Sequence, residues 1–139
     1  MKPKTEDLEL GGNHYRLSKM DARTGSYIAA KVALLCSPML RNGKVDTTDI
    51  AAVLPSLKRE DFIELQNIVL KTITKLDMDN NGDFTLPMPI IDSSGNFVDE
   101  ELAFDAGTVI ALTIRGIMFN VGGFFGAVGL TQTKEAPKA

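Results

Sequence analysis

"DAGTVIALTIRGIMFNVGGFF", Asp105 to Phe125, is the stretch whose reading decides the fold. Ile110, Ile114, Ile117, Val121 and Phe124 recur along it at helical spacing. The apolar run extends from Thr108 to Leu130, broken by Arg115 and Asn120, and its length suits a bilayer span of about 20 residues. Two features favour a helix packed inside a domain. Arg115 would sit near mid-membrane at a cost of about 2.5–3.5 kcal/mol. Gly116, Gly122, Gly123, Gly126 and Gly129 weaken the second half as a helix. Spaced as they are, these glycines resemble the close-packing motifs of membrane helices, but in water they simply end the helix at Gly122 and Gly123.

Upstream of this helix, "PMPII" and "GNFV" flank "DSSG", which predicts a short hairpin turning at Asp92 to Gly95. Pro87 and Pro89 confine its first arm to a sheet edge. Lys58 to Leu76 places Phe62, Leu65, Val69, Ile73 and Leu76 on one face and Arg59, Glu60, Glu64, Lys71 and Lys75 away from it, the clearest amphipathic helix in the chain. Before it, "RNGKVDTTDIAAVLPSL" turns at Asn42 and Gly43 and forms a short helix capped by Asp46 or Thr47 and ended by Pro55. Asp21 caps a core-facing helix carrying Ile28, Val32, Leu35, Cys36 and Met39, which ends or kinks near Pro38. Alternating stretches around Gly11, Gly12 and Asn13 predict an opening β-hairpin. The expected fold is α+β: a mostly helical single domain over residues 1–130, of about four helices, with an N-terminal hairpin and a second short hairpin before the last helix. "TQTKEAPKA", residues 131–139, reads as a flexible polar tail.

"DMDNNGDFTLPM", Asp77 to Met88, imitates a calcium loop. Asp77, Asp79, Asn81 and Gly82 occupy the first, third, fifth and sixth positions of an EF-hand and Phe84 its apolar eighth. Position twelve is Met88, whose thioether offers a hard cation almost nothing. Pro87 and Pro89 also oppose the exit helix. The simpler reading is a polar turn, and no metal site is assigned.

With 139 residues, 44% of them hydrophobic, the chain can bury a real core. Its net charge of -3 and the lack of a Lys/Arg stripe disfavour nucleic acid as a partner. Cys36, the single cysteine, excludes an intramolecular disulfide and a zinc cluster and reads as a buried core thiol. "MKPKTEDLEL" places acids where a secretory signal needs its apolar centre, so the chain is expected to stay in the cytoplasm. His14, the single histidine, reads as a surface residue beside a turn, with no triad or phosphate loop around it. No catalytic residue and no cofactor is assigned.

Two segments resemble the tail assembly chaperones of long-tailed bacteriophages. "YRLSKMDARTGSYIAAKV", Tyr15 to Val32, is similar to the family's opening strand and first long helix. "MFNVGGFFG", Met118 to Gly126, is similar to its closing element, an Asn between apolar residues followed by paired Phe. "LKREDFIELQNIVLKTI" and "PMPIIDSSGNFVD" lie between them in the family's order, so the likeness covers about residues 8–126. The resemblance implies a non-enzymatic protein that binds the tape-measure protein before the tail tube polymerises around it. It further implies the tail tube protein as a possible second partner and self-association into rings or spirals. Such a protein works in the cytoplasm of the infected bacterial host and is absent from the finished virion. Phe119, Asn120, Phe124 and Phe125 become the partner-binding residues by their place in the motif, with core packing the competing role for the aromatics. Asn120 discriminates best, because a polar residue among apolar ones must find a partner. The alternatives are an EF-hand-like calcium module and a small membrane protein of holin type.

Overall fold

The computed structural model describes residues 4–36, 47–84 and 86–122, with the side chains of residues 35, 36 and 47–49 outside that description. In order come β1 (Thr5–Leu10), β2 (Asn13–Ser18), α1 (Ala22–Cys36), α2 (Thr47–Val53), a 3-10 turn (Leu54–Ser56) and α3 (Arg59–Leu70). They are followed by β3 (Ile73–Leu76), β4 (Met88–Pro89), α4 (Glu100–Ala103) and α5 (Ala106–Val121). The fold is α+β, as the sequence predicts. The strands form one antiparallel sheet in the order β1-β2-β3-β4, with α1 to α3 inserted between its two central strands.

The opening hairpin is fixed by its turn. Gly11 and Gly12 have φ of 58° and 82°, the doubly left-handed connection whose twist matches the strands it joins, and Leu10 pairs with Asn13 directly across it. Tyr15 and Leu17 then face the core and are almost fully buried. Asp21 starts α1 as expected, its carboxylate accepting the Thr24 backbone N–H at 3.1 Å. As expected, α2 stops ahead of Pro55, at Val53, and the proline lies in the 3-10 turn that follows. The predicted turn at Asn42 and Gly43, the Asp46 cap, Pro38, Met39, the side chain of Cys36 and the tail from Thr131 all lie outside the described residues.

The long amphipathic helix predicted over Lys58 to Leu76 is corrected. The helix ends at Leu70, and Ile73–Leu76 form a strand hydrogen-bonded to β2. The Thr72 hydroxyl donates to the Val69 carbonyl at 2.7 Å and the Thr72 N–H to the same oxygen at 3.1 Å, closing the last turn. Ile73 pairs with Leu17 and Leu76 with His14, so the two apolar residues that mimicked a helical face lie on opposite faces of the sheet. Pairing with β2 overrides a local spacing that either element could have satisfied.

The two Asp-initiated turns share one hydrogen-bond pattern. In "DNNGD" the Asp79 carboxylate accepts the N–H groups of Asn81 and Asp83, and Gly82 has φ of 84°. In "DSSGN" the Asp92 carboxylate accepts those of Ser94 and Asn96, and Gly95 has φ of 88°. In each, the Gly N–H bonds back to the Asp carbonyl and the Asp N–H bonds to the carbonyl four residues on. The calcium-like spacing is therefore the spacing of a self-capping hairpin turn. Met88, at the position of the missing Glu, lies in the edge strand β4.

Helix α5 runs through the core. Leu112, Ile117 and Val121 are fully buried, as is Thr113, whose hydroxyl accepts from Gln66 of α3 at 3.1 Å and donates to the Val109 carbonyl at 2.8 Å. The predicted stripe is rotated: Ile110 and Ile114 flank this face half-buried, and Gly116 lies within it. A Cβ on Gly116 would stand 2.5 Å from Val69 Cγ1 and 3.3 Å from Ile73 Cδ1, so glycine is what lets α5 approach α3 and β3. Among the described residues no helix is long and apolar enough to cross a membrane. Arg115, the residue that counted against a span, lies half-exposed 3.9 Å from Glu6.

Candidate functional site

The end of α5 is joined to the exit of the opening hairpin. Asn120 Oδ1 accepts the Met20 backbone N–H at 2.7 Å, and its Nδ2 donates to the Gly116 carbonyl at 2.9 Å. One amide thus satisfies both its own polarity and that of a strand exit 100 residues away in sequence. Phe119 lies half-buried against the core, its carbonyl accepts from the Lys19 ammonium, and that ammonium sits 4.4 Å from the centre of its ring. The structure therefore brings together Phe119 and Asn120, two of the four residues picked out from the sequence. Phe124 and Phe125 lie outside the described residues. Lys19 and Met20 were missed, because no local spacing marks a contact made across the whole domain.

The same helix carries two apolar grooves on its half-buried side. One, of about 330 Å³, is lined by Leu54, Pro55, Leu57 and Phe62 with Ala51 and Ile110, and Arg59 stands at it as the charged member. The other, of about 300 Å³, is lined by Leu10, Ala111, Ile114 and Arg115. Each takes part of its wall from α5, the first from Ile110 and the second from Ala111, Ile114 and Arg115. Volumes near 300 Å³ lie at the lower end for small-molecule pockets, and open apolar troughs of this size suit the side chains of another helix. "LPSL" could have signalled the first groove, since it sets a proline between two leucines just after a short helix.

The electrostatics are those of tethers. Lys75 and Asp99 meet at 2.8 Å while partly shielded from water, and Asp99 also accepts the Glu101 N–H that begins α4. The Lys75 hydrogen bond holds the Asp99 carboxyl below the usual carboxylate range, and the same bond raises the Lys75 ammonium. Burial pushes the Tyr15 phenol up. Asp105 caps α5, accepting the Thr108 N–H and hydroxyl, which lowers its own pKa. His14, expected at the surface, is half-buried in β2 with its ring 5.2 Å from that of Phe84.

Over residues 11–132 the chain matches a family model described as phage tail assembly chaperone protein, TAC. No curated protein and no solved structure matches.

Proposed function

The chain belongs to the phage tail assembly chaperone family, and on that premise we propose that it binds the tape-measure protein and keeps it soluble until the tail tube forms around it. The observation that carries this reading is the pair of apolar grooves to which α5 contributes a wall. A long, largely helical client with an apolar face aggregates if left bare, and a trough lined by Leu54, Leu57, Phe62 and Ile110 offers that face cover. Each groove is small, so affinity comes from many copies engaging successive stretches of one long client. The role is binding without a reaction, performed in the cytoplasm of the infected host and finished before the particle is.

Within this reading Phe119, Phe124 and Phe125 contact the client, as their place in the family's closing motif implies, and Asn120 holds the end of α5 in register with the hairpin. The tail tube protein, which displaces the chaperone, is the second partner, and rings or spirals of this chain on the client fit a coating role. Co-expression with the tape-measure protein of the same genome is the test. The client is expected to move from the pellet to the soluble fraction and to co-purify, and Phe62→Ser with Ile110→Ser is expected to return it to the pellet. A client that stays insoluble beside soluble, folded chaperone would overturn the reading.

A further inference from the structure

We infer that the β3–β4 tongue and the following turn and helix, residues 77–104, form a second docking surface, and that its occupant is a basic amphipathic helix. Nine large apolar side chains are exposed among the described residues, and six of them fall here: Met78, Phe84, Leu86, Met88, Val98 and Phe104. Leu86 is 75% and Phe104 91% exposed, far more than packing within the fold requires. Met78 and Phe84 bridge the two arms of the tongue, and Leu86 and Met88 follow on the return arm, Met88 paired with Lys75. Methionine and leucine in such a place can repack against varied partner side chains. Strand addition at this edge is opposed, since Pro87 and Pro89 lack the N–H groups a new strand would need.

Charge names the occupant. Between Lys75 and Arg115 the sequence has no Lys or Arg, but it has Asp77, Asp79, Asp83, Asp92, Asp99, Glu100, Glu101 and Asp105. Lys75 reaches in from β3 to pair with Asp99. An apolar surface inside a field of one sign repels a second copy of itself, a nucleic acid and an anionic membrane, and attracts Lys and Arg flanking an apolar stripe. None of the groove-lining residues falls within 77–104, so the partner need not be the client proposed above.

The experiment uses the full isotope-labelled chain and two synthetic helical peptides of one pattern, one of Leu and Lys and one of Leu and Glu. The Leu/Lys peptide is expected to bind with NMR shift changes concentrated in 77–104, to weaken about tenfold between low and 0.3 M salt, and to weaken at least about fivefold with Leu86→Ser or Phe104→Ser. Both substituted positions are solvent-facing, so folding is retained and checked by the unchanged spectrum elsewhere. Equal binding of the Leu/Glu peptide, shifts confined to Ala51–Phe62 and Ile110, concentration-dependent shifts at 77–104 without any peptide, or no binding at all would each overturn the inference.

Discussion

Around Gly116 a single methyl group is too much, whereas along Phe84 to Met88 a leucine and a methionine stand more than half exposed to water. At Gly116 the neighbours are Val69 and Ile73, both fully buried, and the one buried polar side chain nearby, Thr113, has both hydrogen bonds made. At the tongue, Asp79 supplies its own turn with acceptors, and the described side chains from Asn80 to Pro89 are exposed. The first region spends its apolar residues on stability and the second leaves them available. The difference makes opposite demands on substitution.

The sharpest test is one change made twice on α5. Gly116→Ala is expected to destabilise the protein by about 1–3 kcal/mol, because overpacking against Val69 outweighs the gain in helix propensity. Gly107→Ala, whose Cβ would meet only Asp105 Oδ1 at 3.8 Å, is expected to stabilise it by up to about 1 kcal/mol. Urea denaturation of both reads the sign directly. A Gly116→Ala that stabilises the protein as Gly107→Ala does would mean that α5 is not held as closely to α3 as the distances require.

Asn120→Ala comes next, at about 1–2 kcal/mol, since it strands the Met20 N–H and the amide's bond to Gly116. Hydrogen exchange at Met20 should speed up while exchange at Leu17 on β2 stays slow. A stable variant that also solubilises the client normally would remove Asn120 from both fold and assembly.

Much of this architecture was legible because local chemistry left few choices. Gly11-Gly12 could only be a tight hairpin turn, "DSSG" only a turn, and Asp21 and the prolines around Met88 marked a helix start and a sheet edge. The third strand was illegible, because Ile73 and Leu76 are spaced to extend the face of Leu65 and Val69 and only pairing with Leu17 and His14 distinguishes strand from helix. The depth of α5 was half-legible. Its apolar character was plain, but which side met α3 depended on Gly116, a residue whose value is the space it leaves. Of the site, Asn120 could be flagged as a polar residue needing a partner, while Lys19 and Met20 could not be named as its neighbours.

Between core and tongue lies the Lys75–Asp99 pair, and pH separates its share. Asp99 titrates below its ordinary value of 3.8 when folded, so its contribution is present above that value and is lost as pH falls through the folded pKa. Lys75 titrates above its ordinary 10.5, so its contribution is present below 10.5 and is lost as pH rises through the folded pKa. Lys75→Met is therefore expected to cost about 1 kcal/mol on a plateau from about pH 5 to about pH 9. The deficit against the parent protein should shrink below about pH 4. A deficit that persists undiminished in acid would assign Lys75 a packing role, its methylenes beside Tyr15, and not an ionic one.

The smallest expected effect on stability is the most informative about function. Leu86→Ser removes an apolar side chain that is already 75% exposed, so little buried area is lost and the change in unfolding free energy should stay within about 0.5 kcal/mol. Solubility should rise, because a leucine exposed in the same segment as Met78 and Met88 is a site of non-specific association. A residue that costs nothing to remove and is unfavourable to keep has no reason in the fold, which leaves a partner as its physical justification. If Leu86→Ser instead unfolds the protein as Gly116→Ala does, the tongue is part of the core and the contrast between the two regions fails. If it leaves stability, solubility and every binding readout unchanged, the exposed apolar side chains are tolerated residues, and α5 with its grooves carries the whole of the function.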